Sequence, residues 1–379
     1  MVAIYYVLAL MVWLFGAVFL LFLSLKTKYR RSIPARFFLY KNAKFAPSKV
    51  HFHACSFGEI QALKPILELF SDKAISVVTN TGYEAAKKIT QNSRFLPFEI
   101  FIPFWLQKSK ILVVFEAELW LMLVFWAKFQ GSRVILINAR ISDRSYERYL
   151  KFAFFYRVIF KYIDRIYAQS QIDKERLSTL GAREILVCGN IKSAFLPKPS
   201  KIYKKPKERV IVLASTHEGE EVALLNGLNL GVDDKLIIAP RHPERFGEVA
   251  NLAAKFATKG GLSFAKFSQS QNLGAQVNLI DSLGELVNIY AISDVVVLGG
   301  SFMPGIGGHN PIEAAQFEPV LISGKHIFNQ KALFSLVSDV KFASADEVAK
   351  LINSELKRCK IMQKGDVSQI IEDIRSVYE

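Results

Sequence analysis

Residues 299–313, Gly-Gly-Ser-Phe-Met-Pro-Gly-Ile-Gly-Gly-His-Asn-Pro-Ile-Glu, are of the types that hold a phosphate. They follow the apolar run 294–298, which predicts a buried parallel strand. They lead into a helix start, with Asn310 as N-cap, Pro311 at the first helical position and Glu313 in the first turn. A strand, a glycine-rich turn and a helix N-terminus together present free backbone N–H groups to an anion. No Gly-Lys-Ser/Thr follows, so the stretch is not a P-loop, and its spacing is not that of the first turn of a dinucleotide fold. A surface loop that uses glycine only for its turns is the competing reading.

The histidines extend the theme. His217, His242 and His309 each follow a predicted strand of the second half, in polar, turn-rich sequence, which predicts a shared cleft. Zinc is the natural competitor for three histidines. No His-x-x-x-His or Cys/His cluster exists around these three, and the neighbours (Arg241, several glycines, Asn310) suit an anion better than a cation. An Asp-x-Asp is also missing, which removes the usual way of holding a divalent metal against a nucleotide diphosphate.

Such residues need a scaffold, and the chain alternates apolar runs with helical patterns. Runs at 50–54, 74–78, 111–115 and 134–137 are each followed by polar residues, and the rhythm restarts at 210–213, 236–239, 277–280, 294–298 and 320–322. This βαβα order predicts parallel sheets covered on both faces. Ligands of such sheets bind beyond the carboxyl ends of the strands. The first half therefore offers Ser56 and Glu59, Thr79 to Thr81, Glu116 and Glu118, and Asn138 and Arg140. Residues 197–207 hold three prolines and five lysines and predict an interdomain linker. The expected division is an anchor at 1–25, an α/β domain at 26–198, a second α/β domain at 199–350, and a helical tail at 351–379 that could pack back on the first domain.

Residues 2–25 carry no charged side chain, and at about 1.5 Å per residue they span a hydrocarbon core of about 30 Å. Lys26, Lys28, Arg30, Arg31 and Arg36 follow at once, so the positive-inside rule puts the rest of the chain in the cytoplasm. A cleaved signal peptide would place its charge before the apolar run. The formal charge of +15 implies an anionic partner. Nucleic acid is the weaker choice, because Lys and Arg are spread along the chain without a recognisable module. Cys55, Cys188 and Cys359 are far apart and odd in number, which predicts three reduced thiols. Residues 149–162 interleave aromatics with cations, as a buried helix with snorkelling charges or a helix dipping into an anionic bilayer would.

Eight motifs stand in order along the chain: Ser56-x-Gly58-Glu59, Glu116-x-Glu118-Leu119-Trp120, Asn138-Ala139-Arg140-x-Ser142-x-Arg144-Ser145, Gly189-Asn190-x-Lys192, Ala214-Ser215-Thr216-His217-x-Gly219-Glu220, Pro240-Arg241-His242-Pro243-Glu244-Arg245, Gly284-Glu285-Leu286, and Gly299-Gly300-Ser301 with Gly307-Gly308-His309-Asn310. Together they resemble the 3-deoxy-D-manno-octulosonic acid (Kdo) transferases of lipopolysaccharide assembly, over nearly the whole chain. Leu121, Ser193-Ala194 and Asn80 depart from the family's usual proline, Phe-Asp and threonine-rich turn.

The resemblance implies a GT-B fold of two Rossmann-like domains facing a cleft, with CMP-Kdo as donor and the lipid A precursor (lipid IVA) as acceptor. It places the enzyme at the cytoplasmic face of the inner membrane and implies no metal or other cofactor. It makes Glu59 the general base, with Glu118, Glu116 and Lys192 supporting charge in the transition state. A carboxylate at a helix N-terminus is acidified by the helix dipole, so a nearby carboxylate or desolvation must keep Glu59 basic. Ser56, Gly58 and Arg140 would meet the acceptor. Ser215, Arg241, His242, the turn Leu283-Gly284-Glu285, and Gly308, His309, Asn310, Pro311, Ile312 and Glu313 would bind CMP, with Glu313 on the ribose. Displacement by the acceptor oxygen would invert the anomeric centre. Two alternatives stand beside this: a GT-B transferase using another nucleotide sugar, and a membrane-anchored, anion-binding scaffold without catalysis.

Overall fold

The computed structural model describes residues 1–26, 29–37 and 42–379; Lys28 lies outside them. The chain divides into two compact units, Met1–Phe195 with Lys364–Glu379, and Leu196–Gln363. Among the described residues, each unit is built on a seven-stranded parallel sheet, and a two-stranded antiparallel pair completes the set. These are the two Rossmann-like α/β domains of the GT-B class.

In unit 1 the strands are β1 (Val50–His53), β2 (Lys73–Val77), β3 (Ser93–Phe95), β4 (Ile111–Phe115), β5 (Arg133–Ala139), β6 (Arg165–Ala168) and β7 (Ile185–Val187), in the order β3-β2-β1-β4-β5-β6-β7. β1 and β4 are buried at every residue, as a sheet covered on both faces requires of unbroken apolar runs. They are neighbours, with Val50 opposite Ile111 and His53 opposite Val114. The strand order reverses between them, so the segments carrying Glu59 and Glu116–Glu118 leave the sheet side by side at its switch point.

Unit 2 repeats the plan with β8 (Arg209–Thr216), β9 (Asp234–Pro240), β10 (Phe264–Lys266), β11 (Val277–Leu279), β12 (Val295–Leu298), β13 (Val320–Ser323) and β15 (Lys341–Phe342), ordered β10-β11-β9-β8-β12-β13-β15. β14 (Val337–Ser338) pairs antiparallel with β16 (Lys360–Ile361). Here the order reverses between β8 and β12, where Leu298 stands opposite Ala214.

Three expectations need correction. The stretch 197–207 is not a free linker but part of unit 2. Glu285 accepts from Lys201 Nζ at 2.5 Å and Tyr203 Oη at 2.6 Å, and the Asn288 side chain accepts from the Ser200 N–H at 2.8 Å. Lys201 and Tyr203 of the stretch thus satisfy an inward-turned carboxylate. The helical tail also divides. Residues to Gln363 stay with unit 2, held where Cys359 N–H donates to Pro319 O at 2.8 Å, and only Lys364–Glu379 join unit 1. There the helix Ser368–Tyr378 buries Ile370 and Ile374, and its Asp373 accepts from Tyr167 Oη at 2.8 Å and meets Arg133 at 2.6 Å. Residues 149–162, read as one helix, break at Phe152 into Asp143–Lys151 and Ala153–Phe160; Val158, Ile159 and Phe160 face the core while Phe152 and Phe154 are exposed.

The N-terminal helix α1 (Val2–Leu23) is long and apolar enough to cross a membrane, by length and composition. One stripe of it rests on unit 1. Tyr5 Oη donates to Glu99, Tyr6 Oη donates to Ile100 O at 2.8 Å, and Trp13 lies 5.4 Å from Phe37 of α2 (Ser32–Phe37) and 5.5 Å from Phe101, between ring centroids. The rest of its circumference, including Phe15, Phe19 and Phe22, is exposed. The three cysteines are free thiols.

Candidate active site

Glu59 lies in the first turn of α3 (Phe57–Leu67), whose Ile60, Leu63, Ile66 and Leu67 fix its inner face in the core. Its carboxylate folds back on the strand end. Cys55 N–H donates to Oε2 at 2.6 Å and Ser56 Oγ donates to Oε1 at 2.9 Å. Burial pushes Glu59 up, the Cys55 and Ser56 hydrogen bonds oppose it, and Glu116 and Glu118 add to the rise, which leaves it at about 7. Desolvation and neighbouring carboxylates therefore outweigh the acidifying helix dipole. A carboxylate titrating near neutrality is matched to taking a proton from a hydroxyl.

The two neighbours are held differently. Glu116 has a left-handed backbone, φ 56°, and its Oε1 accepts from Lys192 Nζ at 3.3 Å and Asn138 Nδ2 at 3.2 Å. Asn138, also at φ 56°, accepts the Ile191 N–H at 3.0 Å through Oδ1, and its carbonyl accepts from Gln169 Nε2 at 3.1 Å. Gln169 in turn accepts from Asn190 Nδ2 at 3.0 Å, and Asn190 Oδ1 accepts the Lys192 N–H at 2.9 Å. This ring of amides orients Lys192 toward Glu116. Both residues sit in the left-handed region that non-glycine residues seldom adopt, and the hydrogen bonds of this ring hold them there. Glu118 is buried, which raises its carboxyl, but hydrogen bonding with Trp120 Nε1 at 2.8 Å and the field of His53, 3.7 Å away, outweigh this and hold it low. Glu118 therefore stays ionised beside Glu59, while burial and the two glutamates push the Cys55 thiol up to about 12 and keep it inert.

Of the residues expected at an acceptor, Ser56 touches Glu59, but Arg140 is exposed and stands outside this network, and Gly58 has open space where a side chain would be. Sequence reasoning missed Gln169, His53 and Arg36. Arg36 holds its guanidinium 4.5 Å from the Phe98 ring centroid and 5.7 Å from that of Trp120, and its Nε donates to Leu96 O at 2.9 Å. A histidine inside a strand and an arginine in a short helix carry no pattern that separates them from ordinary core and surface residues.

In unit 2 the glycine-rich stretch behaves differently from the expectation. The buried Glu220 takes the N–H groups of Gly300 at 2.7 Å, Ser301 at 3.0 Å and Phe302 at 2.9 Å, as well as that of His217 at 3.0 Å. The first part of the turn is thus a carboxylate-filled nest and presents no free donors to a phosphate there. Gly299 is required sterically: a Cβ would stand 2.7 Å from Ser215 O and 2.8 Å from Glu220. Ser215 itself is buried at φ 54°. The expected helix start also shifts. The helix is Ile312–Ala315, with Pro311 as N-cap, and Asn310 Oδ1 accepts the Ile312 N–H at 3.0 Å. Four residues align little dipole, so side chains must carry most of the anion recognition.

Those side chains do converge. His217 and His309 share a hydrogen bond, Nε2 to Nε2 at 2.8 Å, and His242 packs edge-on against His217 with ring centroids 5.0 Å apart. Burial, then His217, Arg241 and His242, push His309 down to about 4, and burial also lowers His217, so the pair is neutral at physiological pH. Gly308 at φ 86° donates its N–H to Gly300 O at 2.8 Å, which folds His309 back against the start of the loop. Glu313 accepts from Asn310 Nδ2 at 3.2 Å; burial raises it, and Asn310 and Arg241 pull it down in part. Arg241 is exposed, with its N–H fixed to Thr216 O at 3.0 Å. At the 283–285 turn Leu283 is exposed and Gly284 open, whereas the Glu285 side chain is consumed by Lys201 and Tyr203. The backbone of that turn and the Leu283 side chain are left to meet a ligand.

Residues 31–195 match the model of the 3-deoxy-D-manno-octulosonic-acid transferases (kdotransferase). A 3-deoxy-D-manno-octulosonic acid transferase of Haemophilus influenzae is 33% identical over 352 residues, covering 84% of this chain and 81% of that protein. One from Chlamydia muridarum is 29% identical over 374 residues, covering 89% and 86%. The crystal structure of the C-terminal CMP-Kdo binding domain of WaaA from Acinetobacter baumannii is 30% identical, covering 46% of this chain and 90% of that one, with a TM-score of 0.33. The chain belongs to the 3-deoxy-D-manno-octulosonic acid transferase family.

Proposed function

We propose that this Kdo transferase moves Kdo from CMP-Kdo to the lipid A precursor at the cytoplasmic face of the inner membrane, with inversion and without a metal. The observation that carries the reading is Glu59, a carboxylate held at about 7 at the switch point of unit 1 between two further glutamates. Glu59 takes the proton of the acceptor hydroxyl as the oxygen forms its bond to the anomeric carbon. The bond from that carbon to the phosphate oxygen breaks, and its electron pair leaves with CMP. Lys192, oriented by Glu116 and the amide ring, faces the negative charge of the sugar carboxylate, and Glu118 supports the positive charge that develops at the anomeric centre. In unit 2 the His217–His309 pair, His242, Arg241 and Asn310 hold the phosphate of CMP, and Glu313 accepts from the ribose hydroxyls. The apolar α1 keeps the protein beside its lipid acceptor, and the excess of positive charge suits a bisphosphorylated glycolipid.

Purified protein incubated with a CMP-Kdo generating system and the lipid A precursor tests this by the mass of the product. A gain of one or more Kdo units is expected. No gain, or protection of the protein against thermal unfolding by UDP rather than CMP, overturns the reading in favour of another nucleotide sugar or of a scaffold.

A further inference from the structure

A cavity of about 570 Å³ lies in unit 1 where the C-terminal end of α1 meets α2. This is within the range of about 300–1,000 Å³ typical of ligand pockets. Its walls are apolar on one side, with Leu20 and Leu23 of α1, Ile33, Val78 and Phe98, and polar at the other, with Ser32, Arg36 and Thr79. The polar end is joined to the active site. Val78 and Thr79 both donate their N–H groups to Cys55 O, at 3.1 and 3.0 Å, and the N–H of Cys55 is the group that binds Glu59. Arg36, half-buried, has no carboxylate within ion-pair distance among the described residues and lies over the Trp120 ring, whose indole N–H binds Glu118. Its Nε is taken by Leu96 O and it feels the fields of Glu118 and Glu99, while the rest of its guanidinium makes no further hydrogen bond among the described residues and can meet an additional acceptor.

Two neighbouring surfaces say what that partner is. The outer face of α1, the helix whose Leu20 and Leu23 line the cavity, is exposed and apolar, which suits it to hydrocarbon chains. On the other flank of α2 a pocket of about 810 Å³ gathers Arg30, Arg31, Lys87 and Arg94, against which stands one carboxylate, Glu84, paired with Arg31. An apolar slot and a cationic pocket on either side of one short helix match a molecule that carries both fatty chains and phosphates.

We propose that the α1–α2 cavity seats an acyl chain of the acceptor, with its carbonyl toward Arg36 and Ser32, while the cationic pocket meets a phosphate of the same molecule. This deepens the reading above and rests on it: the acceptor is recognised by its chains as well as its sugar, and α1 is a wall of the substrate site. Seating the chain in this cavity would bring the sugar attached to it toward Glu59.

The test uses the full chain in detergent micelles and two acceptors, the acylated bisphosphorylated disaccharide and the same disaccharide after removal of its acyl chains. L20W fills the cavity from α1, and F22W makes the same change on the exposed face. The ratio of kcat/KM for the acylated over the deacylated acceptor should fall at least tenfold in L20W and stay within twofold in F22W. A ratio that is unchanged in L20W, or falls equally in both, overturns the proposal. A second arm needs no turnover: an acceptor with a photoreactive acyl chain should cross-link to Leu20, Leu23, Val78 or Phe98, and cross-links confined to Phe15, Phe19 and Phe22 overturn it. Absence of Kdo transfer to either acceptor by the unaltered protein sinks the functional reading alone, since the cross-linking pattern still decides the cavity.

Discussion

A base held at about 7 inside a fold carries a stability cost, and that cost is measurable. Glu59 ordinarily titrates at 4.5 and here at about 7, so its ionised form is disfavoured by folding. At about 1.4 kcal/mol per pH unit the difference is at most about 3.5 kcal/mol, and solvent screening at a half-exposed carboxylate leaves about 1–2 kcal/mol. The sign follows from linkage: the folded protein holds this proton more tightly than the unfolded chain, so the group favours folding below 4.5 and loses that contribution as pH rises through about 7. Glu59→Gln keeps the volume and removes the charge. At pH 8 the variant should melt about 2–8 °C higher than the parent, taking about 2–4 °C per kcal/mol for a domain of this size. The gap should close as pH falls toward 4.5, where the parent is protonated too. The same substitution should lower kcat by about two to four orders of magnitude, the span of general-base catalysis. Calorimetry of both proteins in one detergent at pH 5 and pH 8, beside a Kdo-transfer assay, reads both effects. A variant that melts lower at pH 8, or a gap that does not depend on pH, refutes the reasoning, because either result means that Glu59 is a stabilising ion in an ordinary environment.

Further expectations concern its neighbours. Glu116→Gln removes a charge that raises Glu59 and should move the acid limb of the kcat/KM profile to lower pH; Lys192→Met leaves Glu116 uncompensated and should move it to higher pH, so shifts in the same direction would contradict the electrostatic account. Glu220→Ala strips a shared acceptor from the N–H groups of Gly300, Ser301 and Phe302. It should cost about 3–5 kcal/mol in chemical unfolding and weaken CMP binding measured by calorimetric titration. Gly308→Pro cannot adopt φ 86° and loses the N–H bond to Gly300 O, so CMP affinity should fall at least tenfold while Glu59 keeps its titration.

The sheets were legible because their central strands are unbroken apolar runs: β4 spans the five residues 111–115 that the sequence predicts. Strands β3, β6 and β10 are short and carry Arg, Lys or Ser, and β7 is only the three residues Ile185–Val187, so no period separates them from loops. Glu59 and Glu116 were readable from their place after a strand. The fate of Glu220 was not, because a polar residue at a helix start looks solvent-facing until the turn 80 residues later donates its N–H groups to it. The same inversion hid the anchoring of 197–207, where Lys201 meets Glu285 and Lys205 meets Asp294. Sequence pattern reports which side chains are polar; whether they face water or an inward partner is settled by contacts that arrive from far along the chain.

The seat of α1 on unit 1 has a consequence for the order of events during synthesis. Val2–Leu23 leaves the ribosome before the rest of unit 1, yet its partners are Glu99, Ile100, Phe101 and, against Tyr5 with ring centroids 5.2 Å apart, Phe155. At about 5–20 residues per second the helix waits roughly 8–30 s before the last of these exists. A segment apolar on every side cannot spend that interval in water without aggregating, so whatever shelters it must be apolar. If the bilayer is that shelter, unit 1 assembles at the membrane against a helix already held there, and ribosomes translating this message should be found at the membrane before residue 99 is made.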